Sequence, residues 1–287
     1  MNILYIMGTG RSGTTILEVL LKASKDIDGF GEVTHFPRDG VLKNVECSCG
    51  SASNSCVVWG EVVKTLQGSN FQDIDKINGK LEHHRNFFSN VLKLSKTGAM
   101  KTYQALNTQI FSALKLKTDV KTLIDSSKYP GRAVALSRIY GSDFFVIGVT
   151  RCPFELLSAF QKDNEGEQLP KSYLMAAFYY LYVITCMRVS SFFIPKFVSI
   201  RYERLVQNPV RELEKIECDL NVDLSGSKRA VANKEGMSPG HIVTGNRLRK
   251  KSQIIFETRQ KNHTVNMPAG ARALGFLLVV YRNALRF

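Results

Sequence analysis

The chain has 287 residues, of which 44% are hydrophobic and 22% charged, a balance typical of a globular protein with a sizeable core. Its six cysteines are too few for a disulfide scaffold of this length, which excludes the small disulfide-rich class. Lysine and arginine outnumber aspartate and glutamate by 39 to 25, and the net charge of +14 favours an anionic partner: a phosphate ester, a nucleic acid, an acidic glycan or an anionic membrane surface.

The first fifteen residues contain a motif typical of a phosphate-binding loop. An apolar run at 2–7 leads into GTGRSGTT at 8–15, and residues 16–21 are mostly apolar and compatible with a helix. In such a unit the glycines let successive N–H groups point inward, and the helix N-terminus adds partial positive charge. Against the Walker pattern GxxxxGK[ST], Thr14 replaces the lysine, and Arg11 supplies a basic residue three positions earlier. Because that lysine serves the β- and γ-phosphates of a nucleoside triphosphate, we expect this loop to hold another anion.

Strands and helices alternate along the rest of the chain. Strands are predicted at 28–32, 120–124, 144–149 and 197–201. Helices are predicted over 57–115, after Pro130, after Pro153, over 172–187, from Pro209 to about 218, and over 274–285. Asn208 is the expected cap of the helix that begins at Pro209. The segments 34–56 and 225–249 are predicted to be loops. This order predicts a three-layer, P-loop-like α/β fold with a central parallel sheet flanked by helices, in a single domain over 1–287.

The longest apolar stretch, at 172–187, lies between Lys171 and Arg188. Its 16 residues are fewer than the roughly 18 expected of a membrane span, and four of them are tyrosines, so we interpret it as a buried core helix rather than a transmembrane segment. Met1 leads directly into the first strand without a signal peptide. We therefore expect a cytoplasmic location, with peripheral membrane contact left open.

Ligands of an open α/β sheet bind at the carboxyl ends of its strands, so the residues after each predicted strand are site candidates. The first strand is followed by the loop at 8–15, the second by Glu32, the third by the segment 125–128 that ends in Lys128, and the fourth by Arg151. One carboxylate among several cations suits a general base beside a polyanionic donor.

Five blocks, in the right order, resemble the sulfotransferases that use 3′-phosphoadenosine 5′-phosphosulfate (PAPS), most closely the bacterial carbohydrate-type branch. GTGRSGTTIL at 8–17 resembles the 5′-phosphosulfate loop, and VTRCP at 149–153 resembles the block that binds the 3′-phosphate. CSCG followed by a cysteine and a tryptophan, at 47–59, and LIDSSK at 123–128 are similar to two further blocks. HIVTGNRLR at 241–249 resembles the basic loop that closes over the 3′-phosphate.

The resemblance implies in-line transfer of the PAPS sulfonate to a hydroxyl of a glycan, glycolipid or small molecule, without a metal and without a nucleic-acid partner. Glu32 would be the base, Arg11 would stabilise charge on the leaving phosphate, and Lys128 would steady the sulfonate or the donor. The implied donor-binding residues are Gly10, Arg11, Ser12, Gly13, Thr14, Thr15, Arg151, Ser158, Gly245, Asn246, Arg247 and, less directly, Arg249. The acceptor pocket is expected within 34–118 and 163–195.

Two positions depart from the family pattern. Cys152 stands where the family has aspartate. This difference does not affect the expected phosphate binding, because the positive charge belongs to Arg151. The serine that accompanies this arginine in the family falls at Ala159, and Ser158 lies one residue early. A shift of one residue turns a side chain by about 100° on a helix, which counts against Ser158 as a phosphate ligand.

The segment CSCGSASNSC at 47–56 concentrates three cysteines, which a reducing compartment would keep as thiols. A zinc site would need a fourth ligand, and the spacing C-x-C-x6-C is not a standard zinc knuckle. The histidines considered for that role are His35, His83 and His84. We interpret the cysteines instead as a small-residue loop near the acceptor pocket, and His241 as a structural residue or one on the donor side.

Two alternatives remain open at this level. A P-loop kinase using ATP and magnesium is one, because Asp125 ends a strand and imitates a Walker-B aspartate. The other is a non-enzymatic protein that binds nucleotides or polyanions, which the net charge alone suggests.

Overall fold

The computed structural model describes residues 1–93, 98–162, 169–245, 247–259 and 266–287. Its centre is a five-stranded sheet in the order β2-β3-β1-β4-β5, in which every neighbouring pair is parallel. The strands are β1 (Asn2–Gly8), β2 (Ile27–Gly29), β3 (Thr122–Lys128), β4 (Phe144–Thr150) and β5 (Phe197–Arg201). A separate antiparallel pair consists of β6 (Gly236–Met237) and β7 (Ile254–Ile255).

Helices connect these strands. The first six are α1 (Thr14–Leu21), α2 (Trp59–Thr65), α3 (Phe71–Glu82), α4 (Phe87–Lys93), α5 (Gly98–Thr118) and α6 (Pro130–Tyr140). The next six are α7 (Pro153–Gln161), α8 (Tyr173–Phe193), α9 (Tyr202–Gln207), α10 (Pro209–Leu220), α11 (Ser225–Ala232) and α12 (Ala269–Ala284). As predicted, Pro130, Pro153 and Pro209 each stand in the first turn of a helix, where a missing N–H costs no hydrogen bond.

Side chains of β1 alternate between two cores, one on each face of the sheet. Ile3, Tyr5 and Met7 belong to the core that includes α5, α6 and α8, whereas Leu4 and Ile6 belong to the core that includes α1 and α10. Because successive side chains of a strand point to opposite faces, a strand buried on both sides must be apolar throughout. This arrangement confirms the predicted three layers with a parallel sheet between helices.

The strand order places a topological switch between β1 and β4. From β1 the chain moves to β2 at one edge, and from β4 it moves to β5 at the other edge. The crevice at the carboxyl ends of two such strands is where open α/β sheets bind ligands. The loop after β1 and Arg151 after β4 therefore lie on either side of this crevice.

Several predicted boundaries were wrong. The segment 225–249 was expected as a loop, yet it begins with α11, which packs on the end of α1 through a 2.8 Å hydrogen bond between the Oγ atoms of Ser24 and Ser227. The segment 34–56 contains a π-helical turn over Phe36–Leu42. Asn208 precedes α10, but its side chain makes no capping hydrogen bond. These features depend on tertiary contacts rather than on local sequence.

Helix α8 is longer than the apolar run suggests. It has 21 residues, and by length and composition it is the one helix in the described part of the chain that could cross a membrane. Within its most apolar window 44% is buried inside the molecule, including Tyr180, Ile184 and Met187. The inner face agrees with the predicted core helix, whereas Phe178 and Phe192 are exposed.

Candidate active site

The glycine-rich loop curls through two left-handed residues. Arg11 has φ 66° and Gly13 has φ 94°, directly before α1 begins at Thr14. Ser12 is fully buried, and its hydroxyl donates a 2.7 Å hydrogen bond to the carbonyl of Thr9, so this side chain fixes the loop rather than facing outward. Gly10 also serves the loop's shape, since its N–H donates to the hydroxyl of Tyr179 at 3.2 Å.

Beside this loop lies a cleft of about 620 Å³ whose lining is strongly basic. Gly13, Thr14 and Thr15 form one wall at the N-terminus of α1, where backbone N–H groups favour an anion. The lining holds six lysine or arginine side chains and one carboxylate, Glu257, among the described residues. The six cations are Arg11, Lys128, Arg151, Arg247, Lys251 and Arg259. This concentration of one sign of charge suits a ligand with more than one anionic group.

Arg151 is held in a fixed orientation at this cleft. Its Nη1 donates to the carbonyl of Arg11 at 2.8 Å, and its Nε and Nη2 donate to Glu155 at 3.1 and 2.8 Å. The guanidinium carbon lies 4.9 Å from the centre of the Tyr202 ring, a cation–π distance. The structure thus couples Arg151 directly to the glycine-rich loop, as the position after β4 predicts.

Glu32 does not line the cleft itself but lies beside it. It forms an ion pair with Lys128, which does line the cleft, and its other carboxylate oxygen is 3.6 Å from Nε2 of His35. Burial lowers the pKa of His35 below its usual 6.5, against the opposing effect of Glu32, so the imidazole is neutral at pH 7. Two proton acceptors, Glu32 and His35, are therefore adjacent, and the second was not among the predicted site residues.

The late basic loop is only partly within the described structure. Gly245 lies next to Glu32, because a side-chain carbon added there would be 3.7 Å from Oε1 of Glu32. Thr244 anchors the loop through its hydroxyl, which donates to the carbonyl of Glu32 at 2.9 Å. Arg247 reaches the cleft, whereas Asn246 lies outside the described residues.

On α7 the cleft is lined by Ala159, and Ser158 is not among its lining residues. This agrees with the register argument, since the two positions differ by about 100° around the helix. Ser158 is therefore not brought together with Arg151 at the cleft, and we leave it out of the proposed donor site.

Asp125 faces away from the cleft. It is fully buried, it forms a 2.7 Å ion pair with Nε of Arg132, and it accepts hydrogen bonds from the backbone N–H and the hydroxyl of Ser127. Arg132 also forms a 2.6 Å ion pair with Glu82 on α3. A carboxylate committed to these partners is not positioned as a Walker-B ligand, which counts against the kinase alternative.

Tyr202 and Tyr179 were missed by the sequence reasoning. Tyr202 lies under Arg151 and against Gly13, and the rule applied to the other strands would have found it, because it follows β5 directly. Tyr179 lies within the apolar helix α8, where an aromatic residue is typical of a core position, so no local signal pointed to it.

No protein-family model matches the chain, and no curated protein matches it by sequence. Solved structures match by fold. The sulfotransferase domain from the Synechococcus PCC 7002 olefin synthase aligns with a TM-score of 0.53 at 17% identity, over 100% of this chain and 95% of that one. The sulfotransferase domain from the curacin biosynthetic pathway aligns with a TM-score of 0.51 at 15% identity, over 97% of each chain. The chain has the fold of these sulfotransferase domains, and the P-loop-like α/β fold implied by the sequence resemblance is confirmed.

Proposed function

We propose that this protein is a sulfotransferase that moves the sulfonate of PAPS onto an acceptor hydroxyl by in-line displacement. The observation that carries the proposal is the basic cleft beside a glycine-rich loop that lacks the Walker lysine. PAPS has a 5′-phosphosulfate and a separate 3′-phosphate, and guanidinium groups hold such anions through charge-assisted hydrogen bonds. The fold shared with sulfotransferase domains is compatible with this activity.

The two ends of the donor would occupy different parts of the cleft. The 5′-phosphosulfate suits the backbone of Gly13, Thr14 and Thr15, where the helix N-terminus offers N–H donors. The 3′-phosphate suits Arg151 and Arg247, because Arg151 is fixed against the loop and Arg247 lies on the opposite, basic segment.

The transfer itself needs positioning and charge neutralisation more than covalent catalysis. The acceptor oxygen attacks sulfur, the bond between sulfur and the 5′-phosphate oxygen breaks, and the acceptor proton passes to Glu32. Arg11 would neutralise the charge that develops on the leaving phosphate. Lys128 forms an ion pair with Glu32, so we expect its ammonium to turn toward the sulfonate when PAPS binds and to leave the carboxylate available as base.

We place the acceptor beside a group of aromatic and imidazole rings near Glu32. Tyr129 lies within ring contact of both His35 and His84, with centroids 5.8 and 4.8 Å apart, and Tyr179 contacts His84 at 5.8 Å. Rings with an apolar body and a polar tip suit an amphipathic hydroxyl compound such as a glycan, a glycolipid or a phenol. Cytoplasmic location and a single domain over 1–287 stay predictions.

Binding of the desulfonated donor, PAP, tests the proposal without knowledge of the acceptor. PAP at about 100 times its dissociation constant should raise the free energy of unfolding by about 2.7 kcal/mol in the absence of magnesium. Arg151→Gln should abolish this effect, because it removes a fixed guanidinium from the cleft. Arg229→Gln is the matched control, since Arg229 is exposed on α11 and is not a lining residue.

The two alternatives give different results in the same assay. Stabilisation by ATP that requires magnesium, with none by PAP, would establish the kinase. Binding of heparin or nucleic acid with steep salt dependence and no preference for PAP would establish a polyanion-binding protein. Transfer is then measured with labelled PAPS against glycan, lipid and phenolic acceptors.

A further inference from the structure

The three cysteines of the segment 47–56 meet His241, which is 185 residues further along the chain than Cys56. Cys47, Cys49, Cys56 and His241 each offer one ligand atom, and these atoms all lie within 4.8 Å of one another. From the sequence, other histidines were candidates for a fourth ligand, and the cysteines were interpreted without a metal. Among the described residues, the cluster instead takes its histidine from the late basic loop.

The two sulfur–sulfur separations measured from Cys56 are those expected of a tetrahedral site. The Sγ atom of Cys56 is 3.7 Å from Sγ of Cys47 and 3.7 Å from Sγ of Cys49. It is 3.2 Å from Nδ1 of His241. Zinc–sulfur bonds of about 2.3 Å at tetrahedral angles separate two sulfurs by about 3.8 Å. The observed sulfur separations match this value and far exceed a disulfide bond of about 2.05 Å.

The donor set identifies the metal. Three thiolate sulfurs are soft ligands and an imidazole nitrogen is a borderline one, and such a set selects zinc over magnesium or calcium. Four protein ligands leave no open position for water or substrate, and this closed coordination is typical of structural rather than catalytic zinc. Cys47 and Cys56 are buried, so water is excluded from much of the site.

The cluster joins the segment 47–59 to the late loop, whose Arg247 lines the cleft. Ser48 bonds the carbonyl of Ile242 through its N–H at 2.9 Å and its hydroxyl at 2.8 Å, and Trp59 Nε1 donates to the carbonyl of His241 at 2.6 Å. Three residues beyond His241, Thr244 bonds the backbone of Glu32. A bond from a metal to His241 would therefore fix the start of the loop that carries Arg247.

We propose that Cys47, Cys49, Cys56 and His241 bind a structural zinc ion that fastens the segment 47–59 to the basic loop at 241–249. Its role in placing Glu32 and Arg247 rests on the proposed function, whereas the metal site itself does not. The mechanism of transfer involves no metal step, and the zinc acts through the position of the loop.

Metal content of the full chain, purified under reducing conditions from zinc-supplemented medium, is the direct test. We expect elemental mass spectrometry to find about one zinc ion per chain. Cys56→Ser and His241→Gln should each lower this content about tenfold or more. The histidine variant keeps the bond from Trp59, which goes to the backbone carbonyl. Cys218→Ser is the control, since this exposed thiol on α10 lies outside the cluster and its loss should leave the zinc content unchanged.

Reconstitution of the wild-type chain covers the case in which a variant fails to fold. After zinc is released by a mercurial reagent and the thiols are restored, Co²⁺ should produce the visible bands of a tetrahedral site with thiolate ligands. Zinc should then displace the cobalt and raise the melting temperature.

Three results for the wild-type chain would refute the site: zinc-free protein whose thiols all react with an alkylating reagent, a disulfide within the cluster, or iron in place of zinc. Full zinc content in both ligand variants would also refute it. Zinc content needs no sulfonate transfer, so a protein that binds zinc and fails to bind PAP would refute the proposed function alone.

Discussion

Replacement of Gly13 by alanine tests how the glycine-rich loop and Arg151 depend on each other. A Cβ atom at this position would lie 2.3 and 2.5 Å from two ring carbons of Tyr202, well inside van der Waals contact. The backbone there has φ 94°, which an alanine adopts at a cost of about 1–2 kcal/mol. Overlap with a packed ring adds about 1–3 kcal/mol. We therefore expect Gly13→Ala to lower the free energy of unfolding by about 2–5 kcal/mol.

The loss should extend to donor binding. Tyr202 lies under the guanidinium of Arg151 at 4.9 Å, so a ring displaced by the new methyl group no longer supports that side chain. Isothermal titration with PAP should show weaker binding, and urea unfolding gives the stability. Gly79→Ala is the control because Gly79 lies inside α3 with nothing within 4 Å of an added Cβ, and we expect it to stabilise the protein by up to about 1 kcal/mol.

A second background separates the two parts of the cost. In a Tyr202→Ala protein the clash is absent, so Gly13→Ala should there cost only the backbone part of about 1–2 kcal/mol. Equal costs in the two backgrounds would show that the ring is not the obstacle. A wild-type PAP affinity in Gly13→Ala would refute the link between this loop and Arg151.

Three further predictions concern buried charge and the base. Burial raises the pKa of Glu18 from 4.5 to about 7, so the stability contributed by this group is complete below pH 4.5 and falls by up to roughly 3 kcal/mol as the pH rises through 7. Glu18→Gln should remove that decline, which urea unfolding at a series of pH values would measure. If the stability of this variant still fell with pH as in the wild type, the decline would not come from Glu18. Arg132→Met should lower the free energy of unfolding by about 3–5 kcal/mol, because it leaves Asp125 and Glu82 buried without their cation. Lys76→Met, which removes an exposed ion pair, should lower it by less than about 1 kcal/mol. Similar losses in the two variants would refute the importance of burial. Glu32→Gln should lower kcat about 10²–10⁴-fold with PAP affinity retained. If this variant were fully active and His35→Gln instead showed such a loss of kcat, the base would be His35.

Local patterns were sufficient to predict the sheet and the residues that line the cleft at its carboxyl edge. The apolar runs of β1 and β4 are buried on both faces, so their sequences alone determine where they lie, and the residues after them fall at the sheet's carboxyl edge. The prediction weakened where partners come from distant segments. Asp125 was expected to follow a strand as Arg151 does, yet it lies within β3, and its side chain is buried against Arg132, which also pairs with the buried Glu82.

The cysteine cluster illustrates the same limit. Its histidine comes from a loop that local spacing does not relate to the cysteines, since only the fold brings His241 within 3.2 Å of Cys56. The helix α11 was missed for a similar reason, because Gly226 and Ser227 favour a loop until they pack against α1. Such contacts depend on three-dimensional packing and produce no repeating pattern in the sequence.

The buried charges around Arg132 also determine how the molecule opens. Glu82 on α3 receives hydrogen bonds from Tyr103 on α5 and from Thr34, and Arg132 on α6 links it to Asp125 in β3, the neighbour of the central strand β1. To separate α3 and α5 from the sheet, the protein must expose or neutralise all of these groups together. Amide hydrogens of α3 and α5 should therefore exchange with solvent in one cooperative step with those of β3, so that these helices open together with the sheet rather than as an independent lid.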